Sequence, residues 1–141
     1  VSESIYLDFF KLSSPEPHVF RSPSTKLYSS VTNVTVSSFV NASFEYLPSF
    51  TRECLQMGVE VFDNGASDKT YVMNVDGQGV TSYFDDFSSS SVSLRQGWVR
   101  VSGETREMVP AGSSIQLFFA PFPDCAGESA YVRNIEYALT E

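Results

Sequence analysis

Hydrophobic and polar residues alternate in short runs along most of this chain. The longest run extends from residue 32 to residue 46, and Val34, Val36 and Val40 fall on one face of it. A period of two is typical of a half-buried β-strand, and this run is long enough for two strands joined by a bulge. Further strands are predicted at residues 3 to 12, 55 to 61, 71 to 75, 80 to 84, 98 to 102, 115 to 119 and 131 to 139.

Turn-forming residues separate these runs. Residues 63 to 65 (Asp-Asn-Gly) and 76 to 79 (Asp-Gly-Gln-Gly) are expected to form turns, because Asn and Gly accept a positive φ. We interpret residues 85 to 91, which end in four consecutive serines, as a polar loop. Residues 13 to 24 contain three prolines and predict an extended connector, since proline cannot donate to a strand ladder.

Eight or nine short strands with no helical period of 3.6 residues predict an all-β fold, an antiparallel two-sheet β-sandwich. We expect residues 1 to 24 to form an N-terminal strand or arm with its connector, and residues 25 to 141 to form a single sandwich domain. The residues predicted to lie between the sheets are Val34, Val36, Val40, Val59, Val61, Val99, Val101, Ile115, Leu117 and Ile135.

The charge and hydropathy of the chain exclude two classes of partner. The formal net charge is −8, whereas a protein that binds nucleic acid needs clustered Lys and Arg against the phosphates. No apolar run approaches the roughly 20 residues of a membrane-spanning helix. We therefore expect neither a nucleic acid nor a membrane as partner.

The two cysteines, Cys54 and Cys125, admit either one disulfide or two buried free thiols, and we favour the thiols. Two cysteines with a single histidine are too few for a structural zinc site. No cofactor or metal is expected. The alternative is a calcium site, because carboxylate and amide oxygens are the ligands that calcium prefers. Its candidate ligands are Asp63, Asn64, Asp68 and Asp76.

Catalytic motifs are missing from the sequence. There is no Gly-x-Ser-x-Gly elbow, phosphate-binding glycine loop or His-Glu-x-x-His pair, and His18 lies in the proline-rich connector. Two acidic pairs occur, Asp85 with Asp86 and Glu104 with Glu107, and we interpret them as solvated loop charges. Glycoside hydrolysis needs two carboxylates at a set separation, which adjacency in the sequence does not supply. We expect no enzymatic activity.

Three segments in the second half carry a resemblance to a known family. They are residues 97 to 102 (Gly-Trp-Val-Arg-Val-Ser), 110 to 117 (Pro-Ala-Gly-Ser-Ser-Ile-Gln-Leu) and 130 to 136 (Ala-Tyr-Val-Arg-Asn-Ile-Glu). Residues 80 to 141 thereby resemble jelly-roll carbohydrate-binding modules, and especially their relatives in phage tail fibres and other virion proteins. In one departure from the family pattern, Arg133 stands where many such modules have an acidic residue. An arginine cannot bind calcium, so the metal site of those modules is not expected here.

The resemblance implies a non-enzymatic surface protein of a bacteriophage virion, either a capsid decoration module or part of a tail fibre. Its expected partners are other virion proteins or copies of itself in a homo-oligomer such as a trimer, together with host surface glycans. The alternative is a carbohydrate-binding module of a secreted bacterial glycosidase. The corresponding locations are the virion exterior and the extracellular medium.

Exposed aromatic and polar residues are the candidates for glycan contact. Trp98, the only tryptophan, is expected to be a packing residue of the sandwich rather than a platform for a sugar ring. The ligand-binding residues that we predict instead are Tyr71, Tyr83, Asp86, Arg100 and Tyr131.

The N-terminal arm is the candidate protein interface. Residues 3 to 12 carry aromatic residues on both faces of the predicted strand, so a strand that only closed the sandwich would leave some of them in water. We expect the proline-rich connector to hold the arm away from its own domain. The predicted contact residues are Tyr6, Phe9 and Phe10.

Overall fold

The computed structural model describes residues 3–7, 18–21, 27–29, 31–81, 85–122, 125 and 129–141. All regular secondary structure within these ranges is β-strand. The strands are β1 (Glu3–Leu7), β2 (His18–Arg21), β3 (Leu27–Tyr28), β4 (Thr32–Asn33), β5 (Phe39–Pro48), β6 (Leu55–Asp63), β7 (Ala66–Val75), β8 (Phe87–Arg95), β9 (Trp98–Thr105), β10 (Ser114–Pro121) and β11 (Ser129–Thr140). The described residues include no helix long and apolar enough to cross a membrane.

The strands form two antiparallel sheets. Sheet A has the order β1, β11, β5, β9, β8, and β2 also pairs with β11. Sheet B has the order β3, β10, β6, β7, and β4 also pairs with β10. The chain passes repeatedly from one sheet to the other, as in a jelly roll. The predicted fold class, an all-β antiparallel two-sheet sandwich, is confirmed.

Apolar side chains from both sheets fill the space between them. Nine of the ten predicted core residues are buried, whereas Val36 is 46% exposed. The prediction for Val36 is wrong because residues 32 to 46 are not one continuous strand. β4 belongs to sheet B and β5 to sheet A, and Val36 lies on the crossing between them.

Two tight turns connect neighbouring strands in hairpins. Asn64 and Gly65 both have positive φ between β6 and β7, as the sequence predicts. Gln96 and Gly97 do the same between β8 and β9. This second hairpin corrects the interpretation of residues 85 to 91 as a loop, because residues 87 to 91 belong to β8. Pairing with β9 places the serines in the sheet, and a run of one residue type shows no alternation that could reveal this.

A disulfide joins Cys54 to Cys125, with an S–S distance of 2.04 Å and a Cα–Cα distance of 5.7 Å. The expectation of free thiols is therefore wrong. Strand pairing brings the two residues together. Leu55 at the start of β6 lies opposite Pro121 at the end of β10. Cys54 directly precedes Leu55 and Cys125 follows Pro121 a few residues later, so both cysteines lie at this end of sheet B.

Both described parts of the N-terminal segment lie in sheet A. β1 pairs with β11 from Glu3 opposite Leu139 to Leu7 opposite Ile135. β2 pairs with the earlier half of the same strand. The arm was expected to stand away from its domain. In the structure, its strand instead forms a ladder with β11, and β2 falls within the segment that was expected to be a connector.

Candidate functional site

The outer face of sheet A carries a group of charged and aromatic side chains. Successive residues of a strand point to opposite faces, so burial of Val99 and Val101 in the core directs Trp98 and Arg100 outward on β9. Arg100 lies opposite Glu45 of β5, and Glu45 in turn lies opposite Arg133 of β11. The next row along these strands contains Tyr131 and Leu47. Trp98 is the first residue of β9 and directly precedes Val99, which pairs with Tyr46 of β5.

Glu45 holds this group together. Its side chain is 5% exposed, and its Oε1 accepts hydrogen bonds from Arg133 Nε at 2.8 Å and Asn134 Nδ2 at 2.7 Å. Arg100 Nη1 lies 3.9 Å from the other carboxylate oxygen. Burial raises the pKa of Glu45, but the hydrogen bonds from Asn134 and Arg133 and the charges of both arginines outweigh it. The pKa is lowered overall. The carboxylate is therefore ionised and fixes its partners in place.

A bulge in β11 lets two consecutive residues reach the same carboxylate. The register between β11 and β5 shifts between Arg133 and Glu136, and Asn134 has a φ of 51°. Asparagine tolerates this left-handed conformation better than most residues. Arg133 and Asn134 therefore both bind Glu45, while Ile135 is fully buried in the core.

Trp98 packs against Arg133. The guanidinium carbon of Arg133 lies 3.7 Å from the centre of the Trp98 ring system, a distance typical of a cation–π contact. One face of the indole is therefore covered by an arginine that Glu45 also holds. Trp98 therefore packs against Arg133 on the outer face of sheet A, and its expected role as a packing residue of the sandwich rather than a sugar platform stays a prediction.

A shallow depression of about 100 Å³ adjoins the group where the bulge separates β5 from β11. Ser43 belongs to both the group and the depression. Its Oγ lies 3.4 Å from Arg100 Nη2, and Ser43 also lines the depression. The other lining residues are Asn41, Ala42, Glu136, Tyr137 and Ala138.

Of the predicted ligand-binding residues, Arg100 and Tyr131 share this outer face. Tyr71 and Asp86 lie elsewhere. The ring of Tyr71 is part of the core, at 4% exposure, and its hydroxyl donates to Glu107 Oε2 at 3.2 Å. The carboxylate of Asp86 accepts the backbone N–H of Val72 at 2.9 Å. Both residues thus make contacts within the sandwich, apart from the group around Glu45.

Three other predicted contact residues, Tyr83, Phe9 and Phe10, lie outside the described residues. Tyr6 lies in β1, where its backbone is opposite Glu136 of β11.

The four residues considered for calcium do not meet. Asp63 and Asp68 line a cavity of about 210 Å³ near the β6–β7 turn. Asp76 follows the opposite end of β7, about 26 Å away at the usual rise of a strand. Its Oδ1 accepts the backbone N–H groups of Gln78 and Gly79 instead. Within the described part of the chain, no three or more His, Cys, Asp or Glu side chains are placed to hold a metal ion.

Comparison with known proteins finds remote structural similarity. No family model and no curated protein matches this chain. A solved structure similar to it is a carbohydrate-binding module of family 28, specific for non-crystalline cellulose, with a TM-score of 0.40 and 16% sequence identity. The match covers 78% of this chain and 63% of that module. A similarity this remote carries no argument about ligand or activity.

Three charged or polar residues of the group, Glu45, Arg133 and Asn134, were not predicted as site residues. One signal for Glu45 is present in the sequence. It is the only acidic residue of the long alternating run, and it follows Asn41 and Ser43 on the polar face. Its partners are 88 and 89 residues further along the chain, so the pairing depends on a strand register that the sequence does not specify.

Proposed function

We propose that this chain is a non-catalytic carbohydrate-binding module whose ligand lies along the outer face of sheet A. The observation that carries the proposal is the fixed group of Arg100, Arg133 and Asn134 around the buried carboxylate of Glu45, beside Trp98 and Tyr131. Sugar rings offer apolar C–H faces to aromatic side chains and hydroxyl groups to planar donors such as guanidinium. Side chains already fixed by Glu45 lose little freedom on binding, which favours affinity.

The shape of the face supports a ligand longer than one sugar. Sites for isolated small molecules are usually clefts of about 300–1,000 Å³. The depression next to Ser43 has only about 100 Å³, and the remaining groups lie along the open surface of three strands. Such a surface suits a segment of a polysaccharide or of a branched glycan.

The state of Glu45 supports binding without hydrolysis. A glycosidase needs a carboxylic acid that donates a proton to the leaving oxygen, and a raised pKa provides it. Glu45 has a lowered pKa, and its Oε1 is already occupied by Arg133 and Asn134. It therefore orients its neighbours and does not supply a proton.

Trp98 provides a direct test, because it is the only tryptophan in the chain and lies within the proposed site. A glycan array first selects the ligand. Titration with that glycan should then change the Trp98 emission in a saturable manner. Replacing Tyr131 with Ala should weaken the binding by about tenfold or more, since aromatic contacts contribute roughly 0.5–1.5 kcal/mol beyond the area they bury.

Tyr28→Ala is the matched control. Tyr28 is 48% exposed and belongs to β3 of sheet B, away from the proposed site. This variant should bind like the unmodified protein. Equal loss of affinity in both variants, or no binding on the array at high protein concentration, would reject the proposal.

We further propose that the module works outside the reducing cytosol, on the exterior of a bacteriophage virion. The Cys54–Cys125 disulfide supports an oxidising environment. The resemblance of residues 80 to 141 to virion modules supports the virion surface and partners among other virion proteins. Labelling of particles with an antibody against this chain tests the location. Label found only in the culture medium would favour the alternative, a module of a secreted glycosidase.

A further inference from the structure

β8 is an edge strand of sheet A that exposes two apolar side chains. It pairs with β9 on one side, and within the described residues no strand pairs with its other side. Val92 is 43% exposed and Leu94 is 71% exposed, the largest value among the large hydrophobic residues whose burial the structure describes. An edge of this kind presents unpaired backbone N–H and C=O groups, to which another strand can add.

The charges around β8 favour one particular partner. The chain has a net charge of −8, yet β8 contains no acidic residue and only one basic residue, Arg95 at its end. Charged residues in the middle of an edge strand normally prevent pairing between copies, and β8 has none. Asp85 and Asp86 directly precede the strand, so its two ends have opposite charge.

We propose that β8 pairs antiparallel with β8 of a second copy, which joins the two A sheets across a two-fold axis. Antiparallel pairing places the basic end of each strand beside the acidic end of the other. The same surface therefore complements itself, as a two-fold dimer requires.

The bulge in β8 selects the register. Pairing with β9 shifts between Ser89 and Ser91, which leaves Ser90 as the extra residue. If Ser91 lies on the axis and Ser90 of each copy stays unpaired, the residues on either side of the bulge pair in order. Leu94 then lies opposite Phe87 of the other copy, and Arg95 lies opposite Asp86.

Sedimentation equilibrium across a wide concentration range tests the proposal. The unmodified protein should form a dimer of twice the chain mass. Leu94→Lys should weaken the dimer by about 100-fold, because both copies carry the substitution and the apolar contact of Leu94 is lost at two places in the interface. Arg95→Glu should also weaken it, and added salt should then strengthen the variant dimer while it weakens the unmodified one.

The control is Val31→Lys, because Val31 is 57% exposed and lies next to β4 of sheet B. This variant should dimerise normally, and circular dichroism should show that all three variants are folded. A monomer at every concentration would overturn the proposal, as would a dimer that Leu94→Lys leaves unchanged. Hydrogen exchange adds a third readout. Protection, after dilution to monomer, of the β8 amides that do not bond to β9 would mean that the chain itself covers this edge, which also contradicts the proposal.

Discussion

Removal of the Glu45 carboxylate is the sharpest test of the interactions on the outer face. Glu45→Ala deletes the acceptor of the Arg133 and Asn134 hydrogen bonds and the negative charge near Arg100. It leaves Phe44 and Tyr46, the neighbours of Glu45 in β5, in the core. The variant therefore tests the polar group with little direct effect on the apolar packing.

The expected loss of stability follows from these contacts. A hydrogen bond to a charged group contributes about 1.5–3 kcal/mol, and breaking a fully buried ion pair costs about 3–5 kcal/mol. The side chains of Arg133 and Arg100 are 25% and 38% exposed, so water can solvate them once the carboxylate is gone. We therefore expect a loss of about 3 kcal/mol. For a chain of this size that corresponds to a melting temperature about 9 °C lower.

Urea denaturation followed by Trp98 emission measures the loss. Glu60→Ala is the matched control, since Glu60 lies on β6 of sheet B and its hydrogen bond within the described residues, from Ser67, is exposed. That change should alter the stability by no more than about 0.5 kcal/mol. An equal loss in Glu45→Ala and Glu60→Ala would refute the role of Glu45.

Acidification gives an independent check. Folding lowers the pKa of Glu45, so its contribution to stability is present above the ordinary value of 4.5 and is lost as the pH falls through the folded-state value. Glu45→Gln cannot ionise and should be less stable than the unmodified protein near neutral pH. The difference should close in acid, below about pH 4.5. A difference that stays constant on acidification would contradict the assigned ion pair.

Two further predictions concern the disulfide and the core. Reduction of the Cys54–Cys125 bond, which closes a loop with a sequence separation of 71, should cost about 4 kcal/mol. Urea denaturation with and without reductant measures this cost, and an unchanged midpoint would contradict it. Val101→Asp places an unpaired carboxylate at a fully buried position and should cost several kcal/mol. A thermal melt within a degree or two of the unmodified protein would show that the assigned face is wrong.

The sequence predicted those parts of the fold that depend on local pattern. Alternation identified the buried valines of β6 and β9, and the Asn64-Gly65 pair identified a hairpin turn. The pattern failed where hydrophobicity does not alternate, as in the serines of β8, and where the chain changes sheets near Val36. In both places tertiary pairing determines the structure.

The candidate site was predicted less completely, because it depends on pairing between distant strands. Arg100 and Tyr131 were predicted from their residue type and their position on the resembling strands. Glu45 and Asn134 become neighbours only through the β5–β11 register and the bulge within it. Likewise, Tyr71 alternates as an ordinary strand residue, and only the sheet order shows that its ring faces the core.

The position of β11 has a consequence for how fast the protein folds. This strand comes last in the chain, yet it pairs with β5 on one side and with β1 and β2 on the other. The ladder joins Glu3 to Leu139, so sheet A closes only after nearly the whole chain is present. Contacts between such distant residues give β-sandwiches slow folding, in milliseconds to seconds. During synthesis, the edge of β5 that pairs with β11 therefore stays unpaired until β11 is made, and an unpaired edge of this kind is exposed to misassociation.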